Sequence, residues 1–329
     1  MVSFRHRLRA HARKGELILL LMISGLRCLS AKACARKPVR ISSWLWLVFV
    51  AIPGMASLHA QTPDRVYPLW KNGAPGFESR KDLPEHARDW WIRDINNPSL
   101  NVYVPSTAKV SGTAMLVCPG GGFSSLVYNA EGRDAARFLN SLGITAFVLK
   151  YRLFREPGSP YTEENARQDV FRAMRLMRRL APSYNLDPNR MGILGFSAGG
   201  ELAAWVSYRY WESHALAGDA TDRLSARPDF QVLVYPGPMS VPDSVPVRAP
   251  STLLIAANGD TCCSASVVQL LLLHRKAGVP VEVHLYAFGS HAFNMGQRSV
   301  YISLRHWPDR MADWLRDGGW IPKPAPAAR

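Results

Sequence analysis

The chain has 329 residues, 47% of them hydrophobic and 20% charged, with a formal charge of +15. That composition fits one large globular α/β domain or two small ones. The charge does not mark a nucleic-acid binder: ten Lys/Arg and a single acid fall within residues 1–60, and the remaining chain is mildly basic with its cations scattered.

The N-terminal section explains most of that charge. A basic patch at residues 36–40 precedes an apolar core at residues 44–52, and small residues follow up to Ala60. This order is that of a secretory signal peptide. The core is shorter than the roughly 20 residues that span a bilayer. Residues 1–60 are therefore expected to be a targeting region, cut near Ala60 or Ala56. The chain is then exported to the periplasm or the exterior, and it has a membrane partner only if the segment stays uncut. A second apolar run at residues 17–23 points to a translation start downstream of Met1. Residues 61–329 are expected to form a single catalytic domain. Within it, Cys118, Cys262 and Cys263 are an odd set that cannot all pair internally. Adjacent cysteines rarely bond each other, so 262 and 263 read as small buried residues. No spacing resembles a zinc site.

Residues 61–98, rich in Pro, Gly and Trp, read as an extended lead-in. Strands are expected at 101–104 and 114–117, a helix at 130–142 and a strand at 144–149. An amphipathic helix follows at 165–180, with Val170, Ala173, Met174 and Met177 on one face and Arg172, Arg175, Arg178 and Arg179 elsewhere. A short apolar strand ends at Gly195 and a helix follows it. Strands at 230–235 and 252–256, a helix at 266–276, a strand at 281–286 and a closing helix at 300–315 complete the order. Alternating strands and helices predict a mostly parallel central sheet with helices on both faces. Residues 152–164 and 212–227 lack periodicity; they either rim a cleft or form ordinary surface loops. The segment beyond residue 320 reads as a frayed tail.

The stretch Gly195-Phe196-Ser197-Ala198-Gly199 stands between a buried strand and a helix. It reads either as a turn or as a nucleophile elbow, in which glycines before and after a serine allow a tight strand-to-helix turn. The rest of the chain supplies partners for the second reading. His291 follows a strand on a glycine-bearing loop and can serve as the base a serine hydroxyl needs. His284, His274 and His306 read as core or surface residues, and His86 and His214 have no strand end to place them. Asp260 follows another strand and can orient the imidazole; Asp243 and Glu282 are weaker substitutes. The order Ser197, Asp260, His291 is that of α/β hydrolases. Gly120-Gly121-Gly122, after the strand at 114–117, can turn backbone amides toward a developing oxyanion. The predicted donors are Gly121, Gly122 and Ala198. The triplet lacks the lysine of a phosphate loop.

With Leu69-Trp70, Ala74-Pro75-Gly76, Cys118-Pro119-Gly120-Gly121-Gly122, Glu131-Gly132, Tyr151-Arg152, the elbow and Gly289-Ser290-His291-Ala292-Phe293, the chain resembles the α/β-hydrolase superfamily. Within it, the resemblance is to bacterial secreted esterases akin to acetyl xylan esterases and related to hormone-sensitive-lipase-like and feruloyl-esterase-like groups. Pro119 stands where lipase-like relatives have His, and Glu201 where many have His. Gly259-Asp260 replaces a common pair of aspartates. The resemblance implies a serine carboxylic-ester hydrolase that needs no cofactor or metal. The implied substrate is a small ester or an acetylated carbohydrate such as acetylated xylan. Trp90, Trp91, Trp205 and Trp211 are either sugar-stacking faces or core residues. A peptidase of the same fold and a non-catalytic, membrane-tethered binding protein are the alternatives.

Overall fold

The computed structural model describes residues 62–106, 110–212 and 218–323. The expected targeting region with its apolar core and cleavage site, His214 and the end of the tail lie outside them.

An eight-stranded sheet runs in the order β1, β4, β6, β5, β7, β8, β9, β10. Its strands are β1 (Arg65–Pro68), β4 (Ser99–Tyr103), β5 (Ala114–Cys118), β6 (Thr145–Lys150), β7 (Met191–Phe196), β8 (Phe230–Val234), β9 (Ser251–Ala257) and β10 (Val281–Tyr286). The β1–β4 and β4–β6 pairs are antiparallel and every other pair is parallel. This is the mostly parallel sheet that the alternation of elements predicts, in the form that the resemblance to α/β hydrolases implies. The lead-in is more structured than its composition implies: it holds β1 and a two-stranded hairpin, β2 (His86–Ala87) and β3 (Ile92–Arg93).

The central strands are apolar runs because both faces are covered. Alternate side chains enter two cores. On one face Leu116, Ile193, Leu233 and Leu254 meet α2 (Glu163–Leu180), α3 (Ala198–Tyr208) and α4 (Ser264–Ala277) through Val170, Met174, Leu202 and Val267. On the other, Met115, Val117, Leu194 and Val232 meet α1 (Asp134–Ser141) and α6 (Trp307–Asp317) through Ala135, Leu139, Trp307 and Met311. The apolar face expected for α2 is buried as predicted, and its first turn is closed by Asn165, whose side-chain oxygen accepts the Thr162 amide at 2.9 Å.

Two helices depart from the expected form. The segment at 130–142 opens with a π turn over Tyr128–Arg133 before α1 begins. The closing helix is broken into α5 (Ile302–Arg305) and α6, with Pro308 in the first turn of α6. Proline lacks the N–H that would have continued the helix, and it is tolerated where that N–H needs no partner. Among the described residues, no helix is long and apolar enough to cross a membrane.

Candidate active site

Ser197, Asp260, His291 and the glycine loop each follow the carboxyl end of a parallel strand, where open α/β sheets place their ligands. Ser197 stands between β7 and α3 with φ +49° and ψ −120°, a conformation that costs on the order of 1–3 kcal/mol for a non-glycine residue. The flanking glycines explain how so sharp a turn fits. A Cβ on Gly195 would lie 2.3 Å from the Gly199 carbonyl oxygen, and one on Gly199 would lie 2.0 Å from that of Cys118. The elbow is thus held by backbone meeting backbone.

The structure brings the three side chains chosen from the sequence into one line. Ser197 Oγ lies 2.9 Å from His291 Nε2, and His291 Nδ1 lies 2.8 Å from Asp260 Oδ2. The Asp260 side chain is fully buried, while that of His291 is 34% exposed. The second carboxylate oxygen, Oδ1, accepts the amides of Cys262 at 3.0 Å and Cys263 at 3.1 Å. A buried carboxylate held in this way can fix which imidazole nitrogen carries the proton. The substitutes do not approach: Asp243 is exposed, and Glu282 pairs with His284 at 2.7 Å on the β10 edge. His274 is buried against Thr252 and Tyr208, and His86 and His306 make exposed pairs with Asp94 and Asp309.

The glycine loop curls beside the elbow. Gly121 has φ +125°, and its carbonyl accepts the amides of Ser124 and Ser125, both at 3.1 Å. Among the described residues, the amides of Gly121 and Gly122 donate to no protein acceptor. The amide of Ala198 opens α3, where no intrahelical acceptor exists. Among the described residues, none of the three predicted donors is committed to a backbone acceptor. Tyr151 donates to the Pro119 carbonyl at 2.8 Å and anchors the start of the loop.

Reasoning from the sequence missed two residues that organise the site. Glu131, in the π turn, accepts the Gly120 amide at 2.7 Å and the Tyr235 hydroxyl at 2.7 Å. Tyr235 in turn accepts the Asn294 amide at 3.0 Å, three residues beyond His291, and its ring packs on the imidazole with centroids 4.8 Å apart. One buried chain of hydrogen bonds thus ties the glycine loop to the histidine loop. Burial pushes the Glu131 carboxyl up to about 7, against the pull of its two hydrogen bonds. Burial also raises Glu201, whose carboxylate accepts the Met239 amide, to about 7. The available signals were the Glu131-Gly132 pair and the position of Tyr235 just past β8.

Several expectations need correction. Cys262 and Cys263 are bonded to each other, and Cys262 is exposed. The pair lies on the turn that opens α4. Cys118 is a free buried thiol, pushed up by burial. The segment at 212–227 does not rim a cleft where it is described. Arg172 holds Asp219 and Asp222 at 2.6–2.7 Å, and Arg179 holds Thr221 at 2.7 Å, so α2 latches it down. The segment at 152–164 does reach the site. Arg152 is anchored to Asp169, both fully buried, and Arg155 lies over Phe123 and Phe154 beside the glycine loop. The tryptophans divide: Trp205 is buried and stacked on Phe123, whereas Trp90 and Trp211 are more than half exposed.

Comparison with known proteins agrees with this geometry. A family model described as the alpha/beta hydrolase fold matches residues 115–269. The chain has the α/β-hydrolase fold.

Within that fold it resembles the acetyl xylan esterases. It is 29% identical over 247 residues to an acetylxylan esterase of Xylanibacter ruminicola, covering 65% of this chain and 47% of that protein. It is 32% identical over 139 residues to endo-1,4-beta-xylanase B of Butyrivibrio fibrisolvens, covering 42% of this chain and 21% of that protein. The chain thus spans half or less of the length of these curated relatives. A solved acetyl ester-xyloside bifunctional hydrolase from Caldicellulosiruptor lactoaceticus superposes with a TM-score of 0.65 at 28% identity, over 79% of this chain and 98% of that one.

Proposed function

We propose that the chain is a serine carboxylic-ester hydrolase that works through an acyl-enzyme, with short-chain, chiefly acetyl, esters of carbohydrate such as acetylated xylan as its substrates. The observation that carries this reading is the line from Ser197 Oγ through both nitrogens of His291 to the buried Asp260 carboxylate.

In the proposed reaction His291 Nε2 takes the Ser197 proton as Oγ attacks the acyl carbon. The amides of Gly121, Gly122 and Ala198 hold the oxyanion, an interaction worth on the order of 10²–10³ in turnover per donor. The imidazolium is stabilised by Asp260 and returns the proton to the departing alcohol. Water then enters by the same relay and releases the acid.

Two observations support a carbohydrate alcohol. The similar proteins include an acetylxylan esterase and an acetyl ester-xyloside hydrolase. The β2–β3 hairpin carries the exposed Trp90 and docks on the segment after the glycine loop, where Ile92 and Leu126 exchange backbone hydrogen bonds of 2.9 Å each. A flat apolar ring near the site offers a sugar a stacking face.

The test is turnover of p-nitrophenyl acetate, its longer-chain homologues and acetylated xylan, together with fluorophosphonate labelling. The expected result is label on Ser197 and a rate that falls with acyl length, with acetate released from xylan. No turnover and no label would refute the reading, and faster cleavage of aminoacyl amides than of esters would replace it with a peptidase. We propose also that residues 1–60 direct export. The support is their basic, apolar and small-residue order, and the check is the N-terminal mass of the protein recovered outside the cytoplasm.

A further inference from the structure

The turn that carries Asp260 also carries the bonded pair Cys262–Cys263. The reaction proposed above uses their amides and leaves their sulfurs idle. Yet one donor atom from each of Asp260, Cys262, Cys263 and His291 lies within 4.8 Å of the others. Two sulfurs, an imidazole nitrogen and a carboxylate oxygen make a four-ligand set suited to a thiophilic divalent cation, zinc foremost. While the sulfurs are bonded to each other they are not thiolates, and the thiolate is the ligand. Sequence spacing could not reveal such a set, because His291 comes from a different strand end.

We propose that the reduced chain holds a thiophilic divalent cation at Asp260, Cys262, Cys263 and His291, and that the disulfide is the closed form of this site. The inference rests on the serine-hydrolase reading for its effect on turnover; the cation site itself does not depend on it.

A thiolate of a dithiol reductant attacks the sulfur of Cys262, the exposed member, and the bond between the two cysteines breaks. The sulfur of Cys263 leaves as a thiolate at the N-cap of α4, where the positive end of the helix dipole favours negative charge. The second thiol of the reductant then displaces Cys262 and the reductant ends as a disulfide. Two electrons and two protons have passed to the pair. The cation then binds both sulfurs, releasing the two thiol protons, and takes the lone pair of His291 Nδ1, the nitrogen that faces Asp260. The proton Nδ1 carried moves to Nε2. Nε2 then meets the Ser197 hydroxyl as a donor rather than an acceptor, and the serine has lost its base. In an oxidising compartment the disulfide keeps the site shut and the relay free.

The test uses the full chain, reduced with a tertiary phosphine that takes up oxygen from water as it opens the disulfide, then desalted without air. Zinc binding is measured by calorimetry, cobalt binding by the thiolate-to-cobalt charge-transfer absorption, and turnover with p-nitrophenyl acetate. The reduced chain is expected to bind one zinc ion, show the cobalt band and lose on the order of 10³–10⁴ in turnover when saturated. The oxidised chain is expected to show none of these effects. The double variant Cys262→Ser/Cys263→Ser, treated identically, is expected to lack the cobalt band, and whatever turnover it has should be indifferent to zinc. Zinc uptake by reduced protein no greater than by the double variant would overturn the site. Tight uptake without loss of turnover would overturn the role of His291 as a ligand. A chain with no esterase activity in any state would instead remove the hydrolase reading, and the two binding titrations would still decide the site.

Discussion

Replacing Glu131 with Gln tests the buried network that joins the glycine loop to the histidine loop. Burial raises the Glu131 carboxyl from its ordinary 4.5 to about 7. The folded chain therefore binds this proton more tightly than the unfolded chain does. By linkage, the stabilisation is fully present below pH 4.5 and is lost as the pH climbs through about 7. At about 1.4 kcal/mol for each pH unit of that rise, the loss is roughly 3 kcal/mol. Glutamine has the same shape and no charge to lose. Its carbonyl oxygen can still accept the Gly120 amide, and its amide can donate to the Tyr235 oxygen. The assay is urea unfolding of both proteins at several pH values from about 4 to 9. Groups other than Glu131 titrate alike in both, so subtracting one stability curve from the other isolates Glu131. The difference is expected to favour the Gln variant increasingly across the window from 4.5 to about 7 and then to level off. Part of the pH dependence should survive in the variant, because Glu201 is raised by burial in the same direction. Two curves that run parallel through the whole window would refute the claim that Glu131 holds a proton in the folded state.

The remaining expectations concern the elbow, the relay and the α2 anchor. Ser197→Ala should lower turnover by about 10⁶ and abolish fluorophosphonate labelling, both read on the purified variant. Asp260→Asn should cost about 10⁴ in turnover with little change in KM, because the amide fixes the wrong imidazole tautomer; an effect confined to KM would remove Asp260 from the relay. Gly199→Ala drives a Cβ to within 2.0 Å of a backbone oxygen and should cost about 3 kcal/mol in urea unfolding, with activity falling as the elbow shifts. Arg152→Met leaves the buried Asp169 carboxylate without its partner and should cost about 3–5 kcal/mol, whereas the paired change Arg152→Met/Asp169→Leu should recover much of it.

The fold was readable wherever a residue's role is set by its near neighbours in the chain. The strand-and-helix alternation emerged from apolar runs and from the three-and-four spacing of α2. The elbow was readable because the two glycines that permit it lie two residues either side of Ser197. His291 and Asp260 were found by a positional rule, that function gathers at carboxyl ends of parallel strands, rather than by any contact visible in the sequence. Where that rule is silent, prediction failed. Glu131 and Tyr235 are 104 residues apart and meet only because β5 and β8 both flank β7. The arginines of α2 were placed off its apolar face, but nothing local says that residues 219–227 would cover them. The disulfide failed for the opposite reason: a general rule about adjacent cysteines was applied without knowing the local turn. Pro308, by contrast, was a readable signal for the break between α5 and α6 that the apolar spacing of the segment concealed.

The placement of polar groups at this site separates the residues proposed to react from those that position them. Ser197 and His291 are partly exposed and follow the carboxyl ends of β7 and β10, where ligand and water can reach them. The groups that hold them, Asp260, Glu131 and Tyr235, are buried, and each accepts a backbone amide from a loop that carries one of the proposed site residues. A loop amide bound to a buried acceptor cannot drift without leaving both groups unsatisfied, which costs about 1–3 kcal/mol in each case. That penalty keeps the glycine loop, the aspartate turn and the histidine loop in register although no strand joins them directly. The same burial makes Glu131 retain its proton, so the site keeps its geometry at the expense of stability toward alkaline pH. A chain selected only for stability would fill that position with an apolar side chain, and the Gly120 amide would lose its acceptor; the buried carboxyl is therefore better explained by the need to orient the loop than by any contribution to the core.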